Sequence, residues 1–98
     1  MPGEFDWDSH NEAHIALHKV LPREFEEVLR NGPVYIETRI DDESGEERVL
    51  EIGHTNSGRV LFVAWTYRGE RTRPITAFDV NRTTRKAYEK KRYEENRH

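Results

Sequence analysis

Apolar residues along the first third of the chain recur three and four apart: Ala13, Ile15, Ala16 and Leu17, then Leu21, Phe25, Val28 and Leu29. That spacing lays one apolar stripe along each of two helices. Ser9 with Glu12 three residues on has capping-box spacing, so the first helix is expected to run from there to about His18. Pro22 opens the second helix, because its missing N–H would be unpaired in a first turn anyway. Glu24, Glu26 and Glu27 sit near that helix's positive end, and Asn31-Gly32-Pro33 stops it.

From Val34 the period changes to two. Val34, Ile36, Thr38 and Ile40 alternate with Tyr35, Glu37 and Arg39, which predicts a half-buried strand. Residues 41–46 are a polar, acidic loop, and residues 48–53 read as the next strand. Residues 59–67 are almost continuously apolar, the mark of a central strand covered on both faces. Arg68-Gly69-Glu70 is a tight hairpin turn, and residues 71–78 form the last strand. Pro74 cannot donate a ladder hydrogen bond, so this strand is expected at an edge, or to bulge there. Residues 4–7 alternate briefly and suggest a short strand ahead of the first helix. Residues 79–81 hold the cap of a final helix reaching roughly to Asn96, docked by a narrow stripe of Val80, Ala87, Tyr88 and Tyr93. The expected architecture is α+β: one domain over residues 1–98, a four-strand antiparallel meander plus a short N-terminal strand. Two N-terminal helices and one C-terminal helix pack with it.

Composition narrows this picture without overturning it. Ninety-eight residues make one domain with a modest core. Hydrophobic residues are 34% and charged residues 36%, close to disorder-prone composition, but ten aromatics favour folding. The absence of cysteine excludes disulfide staples and thiolate chemistry. Residues 1–10 are acidic and lack the apolar stretch of a signal peptide. The longest apolar run, residues 60–65, is too short to span a membrane, so a cytoplasmic location is expected. The net charge of −3 hides a split: the first 51 residues carry −9 and the remainder +6. A basic half can attract phosphate while an acidic half faces water or a basic partner.

Three groups of residues can carry chemistry. His10, His14 and His18 are four apart and share one side of the first helix. Such spacing can bind zinc, but no cysteine or HExxH pattern accompanies it. The same residues can transfer protons near neutral pH, or simply make a polar helix face. Arg48, Arg59, Arg68, Arg71 and Arg73 lie on the strands and their turns, where converging guanidinium groups make a phosphate site and cross-strand ion pairs are the plainer outcome. The final helix carries Arg82, Arg85, Lys86, Lys90, Lys91 and Arg92. It can contact backbone phosphates, although Glu89, Glu94 and Glu95 offer i,i+4 partners.

Taken in order, FDWD at 5–8, HIALHKV at 14–20, EFEEVL at 24–29, GEERVLEIG at 45–53, GRVLFVAWTYRGERTRPITA at 58–77 and RTTRKAY at 82–88 resemble the BrnT-type toxins of bacterial type II toxin–antitoxin systems. The resemblance covers nearly the whole chain. It implies a RelE-like fold and a metal-independent ribonuclease needing no cofactor. It also implies a partner antitoxin, often a ribbon–helix–helix protein, through which alone the toxin would meet DNA. The family's helix-1 histidine falls on His18 and its arginines on Arg48, Arg68 and Arg73, implying a catalytic set. His14, Arg82, Arg85 and Lys86 would then position RNA. Three departures stand out: Lys19 replaces the family's usual glycine, Phe78 replaces its second strand arginine, and the chain is net acidic. Phe78 and the acidity leave an alternative, a non-catalytic relative that acts as a protein-interaction module.

Overall fold

Two helices precede a four-stranded sheet and a third follows it: α1 (Ser9–Ala16), α2 (Pro22–Arg30), β1 (Val34–Ile40), β2 (Glu47–His54), β3 (Val60–Arg68), β4 (Arg71–Asp79) and α3 (Arg82–Glu95). The computed structural model describes residues 4–95. The sheet is an antiparallel meander in the order β1-β2-β3-β4. The expected end of α3 at Asn96 lies outside the described residues. Among the described residues no helix is long and apolar enough to cross a membrane.

Alternation along β3 gives the sheet two distinct faces. Leu61 and Val63 point into a core with Ile15, Val20, Phe25, Val28, Leu29 and Ala77, and Trp65 packs against it. This is the α2 face. Phe62, Ala64, Thr66 and Arg68 point the other way, toward the face partly covered by α3. The helix–sheet contact is closest at Gly53, where a Cβ would meet Val28 Cγ1 at 2.8 Å. Glycine lets α2 lie directly on β2 there.

The two-residue β3–β4 turn has Gly69 at φ 64°, as the turn requires. Pro74 sits on edge strand β4 beside a register shift opposite Ala64 and Trp65. Among the described residues the N-terminal segment forms no full strand. It makes one parallel bridge, Phe5 to Thr72, with Asp6 N–H donating to Thr72 O at 2.9 Å and Thr72 N–H to Glu4 O at 2.9 Å.

Several local expectations need correction. The N-cap of α1 is Asp8, not Ser9, and the reciprocal partner is Asn11 rather than Glu12. A carboxylate accepts the Asn11 N–H while the Asn11 amide oxygen returns to the Asp8 N–H, so the box closes one residue earlier. The helix ends at Ala16, leaving His18 in the following turn. Of its four expected apolar positions only Ile15 is buried; the second inward residue is Asn11, donating to Asp6 O and Pro74 O. Leu21 is half exposed because it stands at the N-cap of α2, outside its apolar stripe. Strand β1 is an exposed edge rather than half buried, because a bulge between Tyr35 and Glu37 splits its apolar set. After the bulge Thr38 and Ile40 face the α2 side, whereas Val34 pairs with Ile52 on the other. Helix α3 docks through Tyr88, its one buried side chain among the described residues; Ala87 and Tyr93 are exposed.

Candidate functional site

Helix α1 and the turn after it run beside β4 and meet alternate β4 residues. Asn11 bonds Pro74 O, His14 Nε2 lies 3.2 Å from Thr76 Oγ1, and the His18 ring is 5.8 Å from that of Phe78. The two histidine rings are 6.2 Å apart. Phe78 in turn stacks on Phe62 at 4.9 Å and 19°. Beside this pair opens a cleft of about 370 Å³ lined by Ile52, Phe62, Phe78, Asp79, Asn81 and Thr84. Asn81 caps α3 by accepting the Thr84 N–H at 2.8 Å. The exposed cations of the next turns, Arg82, Arg85 and Lys86, therefore start at the cleft's edge. Imidazole, aromatic stack and cations share one corner.

Arg59 braces that corner. Its Nη1 donates to Lys19 O (2.7 Å) and Glu24 (3.0 Å), its Nη2 to His18 O (3.2 Å), and Nε and Nη2 together to the Asp79 carboxylate at 2.9 and 2.8 Å. The fork–fork pairing raises the Arg59 pKa and holds Asp79 below the usual carboxylate range. Lys19 stands at φ 59°, a left-handed conformation that suits glycine. Arg59 thus fixes the two carbonyls of a strained turn and with them the backbone of His18.

The strand arginines gather elsewhere on the same face. Arg39 is opposite Arg48, Arg48 opposite Thr66, and Thr66 opposite Arg73, which makes one transverse row; Arg68 lies one step along β3. Each is already matched to acid. Arg48 reaches Asp41 (3.8 Å) and Glu46 (3.4 Å), and Arg68 reaches the same Glu46 at 3.9 Å. Arg73, only 17% exposed, lies between Asp6 (3.3 Å) and Asp8 (2.9 Å). Partial burial opposes its charge, but Asp8 and Asp6 outweigh this and its pKa rises. Asp8 titrates low because the Asn11 N–H and then Arg73 favour its charged form.

Of the residues singled out from sequence, the fold therefore joins His14 with His18, and Arg48 with Arg68 and Arg73. It does not join the two sets: Phe62, stacked on the Phe78 that neighbours His18, and Thr66, between Arg48 and Arg73, are four residues apart on β3, about 13 Å. Arg85 pairs with Glu89 at 3.3 Å. Among the described residues no three His, Cys, Asp or Glu side chains gather to hold a metal ion. Arg59, a phosphate candidate by residue type, is taken up by the Lys19 and His18 carbonyls and two carboxylates, a role no local spacing signals. Phe78, where the family has an arginine, forms half of an aromatic platform with Phe62.

The family model described as ribonuclease toxin, BrnT, of type II toxin-antitoxin system matches residues 7–90. That span takes in every element except residues 91–95 of α3. No curated protein matches the chain.

Proposed function

The chain belongs to the BrnT ribonuclease toxins of type II toxin–antitoxin systems, and from that premise we propose that it cuts RNA at the corner between α1 and α3, without a metal ion. The observation that carries this reading is the His18 ring beside the Phe62–Phe78 stack, next to the cationic start of α3. A nucleobase stacks on Phe78, which is sequence-tolerant recognition suited to single-stranded RNA. Arg82, Arg85 and Lys86 hold the backbone of that nucleotide. The 2′-hydroxyl attacks the adjacent phosphorus, the P–O5′ bond breaks, and the products are a 2′,3′-cyclic phosphate and a 5′-hydroxyl. His18 takes the proton of the attacking hydroxyl, His14 is the nearest group to share it, and water protonates the departing oxygen. Arg48, Arg68 and Arg73 bind phosphate further along the strand, each exchanging a carboxylate for it.

In the cell this activity acts in the cytoplasm, arrests growth, and is masked by an antitoxin of ribbon–helix–helix type. The chain meets DNA only through that antitoxin. The test is purified, antitoxin-free protein with single-stranded RNA in excess chelator. Cleavage leaving cyclic-phosphate ends is expected, with His18→Ala slower by roughly 10²–10⁴-fold. Intact RNA with the wild-type chain would sink the proposal. One observation favours a second reading, an interaction module without catalysis: Arg48 and Arg73 are already satisfied by acids. Under it, expression of wild type and of Arg73→Ala leaves growth and RNA equally untouched.

A further inference from the structure

The α2 face is only half covered. Helix α2 and the α1 end of the core lie over Gly53, Leu61, Val63 and Ala77. Toward the β3–β4 turn the same face carries exposed Ile40 and Tyr67 around a buried Val49. Its rows follow from register: Thr38, Val49 and Trp65 abreast, then Ile40 and Glu47, with Tyr67 next along β3. Tyr35 is 58% exposed, Ile40 57% and Tyr67 57%. Tyr67 meets Trp65 edge-on at 5.0 Å, and the two line a cavity of about 460 Å³ with Leu29 and Pro33. A contiguous aromatic and aliphatic surface of this kind marks an interaction site.

The unpaired charges in and around the patch share one sign: Arg71, which also lines the cavity, is held by Glu4 at 3.1 Å. Glu51 is tied only to the Trp65 indole N–H, at 2.7 Å. Glu47, opposite Ile40, and Glu70, at the cavity rim, have no cation partner among the described residues. Unmatched carboxylates repel RNA phosphates. They also disfavour a second copy of this chain, since a two-fold contact would set the same acids against each other. What they fit is an apolar segment flanked by lysine or arginine.

We propose that this patch docks an amphipathic, basic segment of the cognate antitoxin, on the opposite side of the sheet from the arginine row. The proposal rests on the toxin–antitoxin reading above. Apolar anchors of that segment fill the Trp65–Tyr67 cavity, and its cations meet Glu47, Glu51 and Glu70. Docking here holds the toxin without occupying the arginine row.

The probe is the antitoxin encoded beside this chain's gene, purified and titrated against the free chain by calorimetry. Tyr67→Glu and Ile40→Glu, both at exposed positions, are each expected to weaken binding by 100-fold or more while RNA cleavage by the free variant stays at the wild-type rate. Glu70→Lys, in the exposed turn, is expected to weaken binding at low salt and less at high salt. It supplies the readout if a strand variant melts early. Wild-type affinity in correctly folded Tyr67→Glu and Ile40→Glu overturns the proposal. So does a fall in RNA affinity in place of antitoxin affinity. A wild-type chain that binds the antitoxin yet cuts no RNA ends the nuclease reading alone, and the binding arm still decides this one.

Discussion

On one face of the sheet, Arg39, Arg48, Arg68 and Arg73 each have a carboxylate within 4 Å. On the other, Glu47 and Glu70 have no cation among the described residues, and Tyr35, Ile40 and Tyr67 face solvent. The first face has its charge settled inside the chain, and the second leaves both charge and apolar surface unmet. The contrast teaches that the number of arginines is a poor guide to where a partner binds. A paired arginine must give up an acid before it takes a phosphate, whereas an unpaired acid beside an apolar patch gives up only water.

The largest effect expected on this contrast comes from Arg59. Arg59→Ala removes five hydrogen bonds, several of them charge-assisted, and takes the ion-pair partner from Glu24 and Asp79. A loss of roughly 2–3 kcal/mol is expected, and a fall in Tm on the order of 10 °C or more. Cleavage should fall further than the unfolded fraction accounts for, because the His18 backbone loses its brace. Unchanged melting and unchanged cleavage would remove Arg59 from the account.

Gly53→Ala tests the helix-covered half of the α2 face. The new Cβ meets Val28 and Pro33, neither of which has a flexible end to move aside. Denaturant unfolding should show a loss of roughly 1–3 kcal/mol, with the cleavage rate of the folded fraction unaltered. Lys19→Gly acts in the opposite sense. Glycine at φ 59° relieves the left-handed turn, and a gain of roughly 0.5–1 kcal/mol is expected. A loss instead would mean that the Lys19 side chain contributes more than the turn costs.

The smallest effect is in pH. The His54 pKa is lowered, first by burial and then by Arg92, and its Nδ1 lies 2.8 Å from the Tyr88 hydroxyl that anchors α3. The unfolded state then binds the proton more readily than the folded state. Stability is full above the ordinary value of 6.5 and declines as pH falls from there toward the lowered folded value. Melting curves across that window should slope for wild type and flatten for His54→Gln; equal slopes would refute the assignment.

How far the fold was legible depended on how local its cause was. The nearly continuous apolar run of β3, the proline bulge in β4 and the turn glycine at 69 each act through their own backbone, and each was placed from sequence. The shift of the α1 cap to Asp8 was a contest between two boxes one residue apart. The bulge in β1 turned Thr38 and Ile40 away from the face of Val34 and Ile36 that their alternation suggested. The candidate site residues could be named by type from the sequence, but their grouping could not. Arg73 and its acids are 65 and 67 residues apart, and Arg59 and the His18 carbonyl 41, so no spacing rule could pair them.

Those long separations have a kinetic meaning. Arg59 ties the turn after α1, the first turn of α2 and the end of β4 into one knot. Each tie closes a long loop, and long loops close late. The His18 corner is therefore assembled only after the sheet exists, and a chain still on the ribosome short of Asp79 has no corner at all. In refolding, RNA cleavage should return with or after the change in Trp65 fluorescence, never ahead of it.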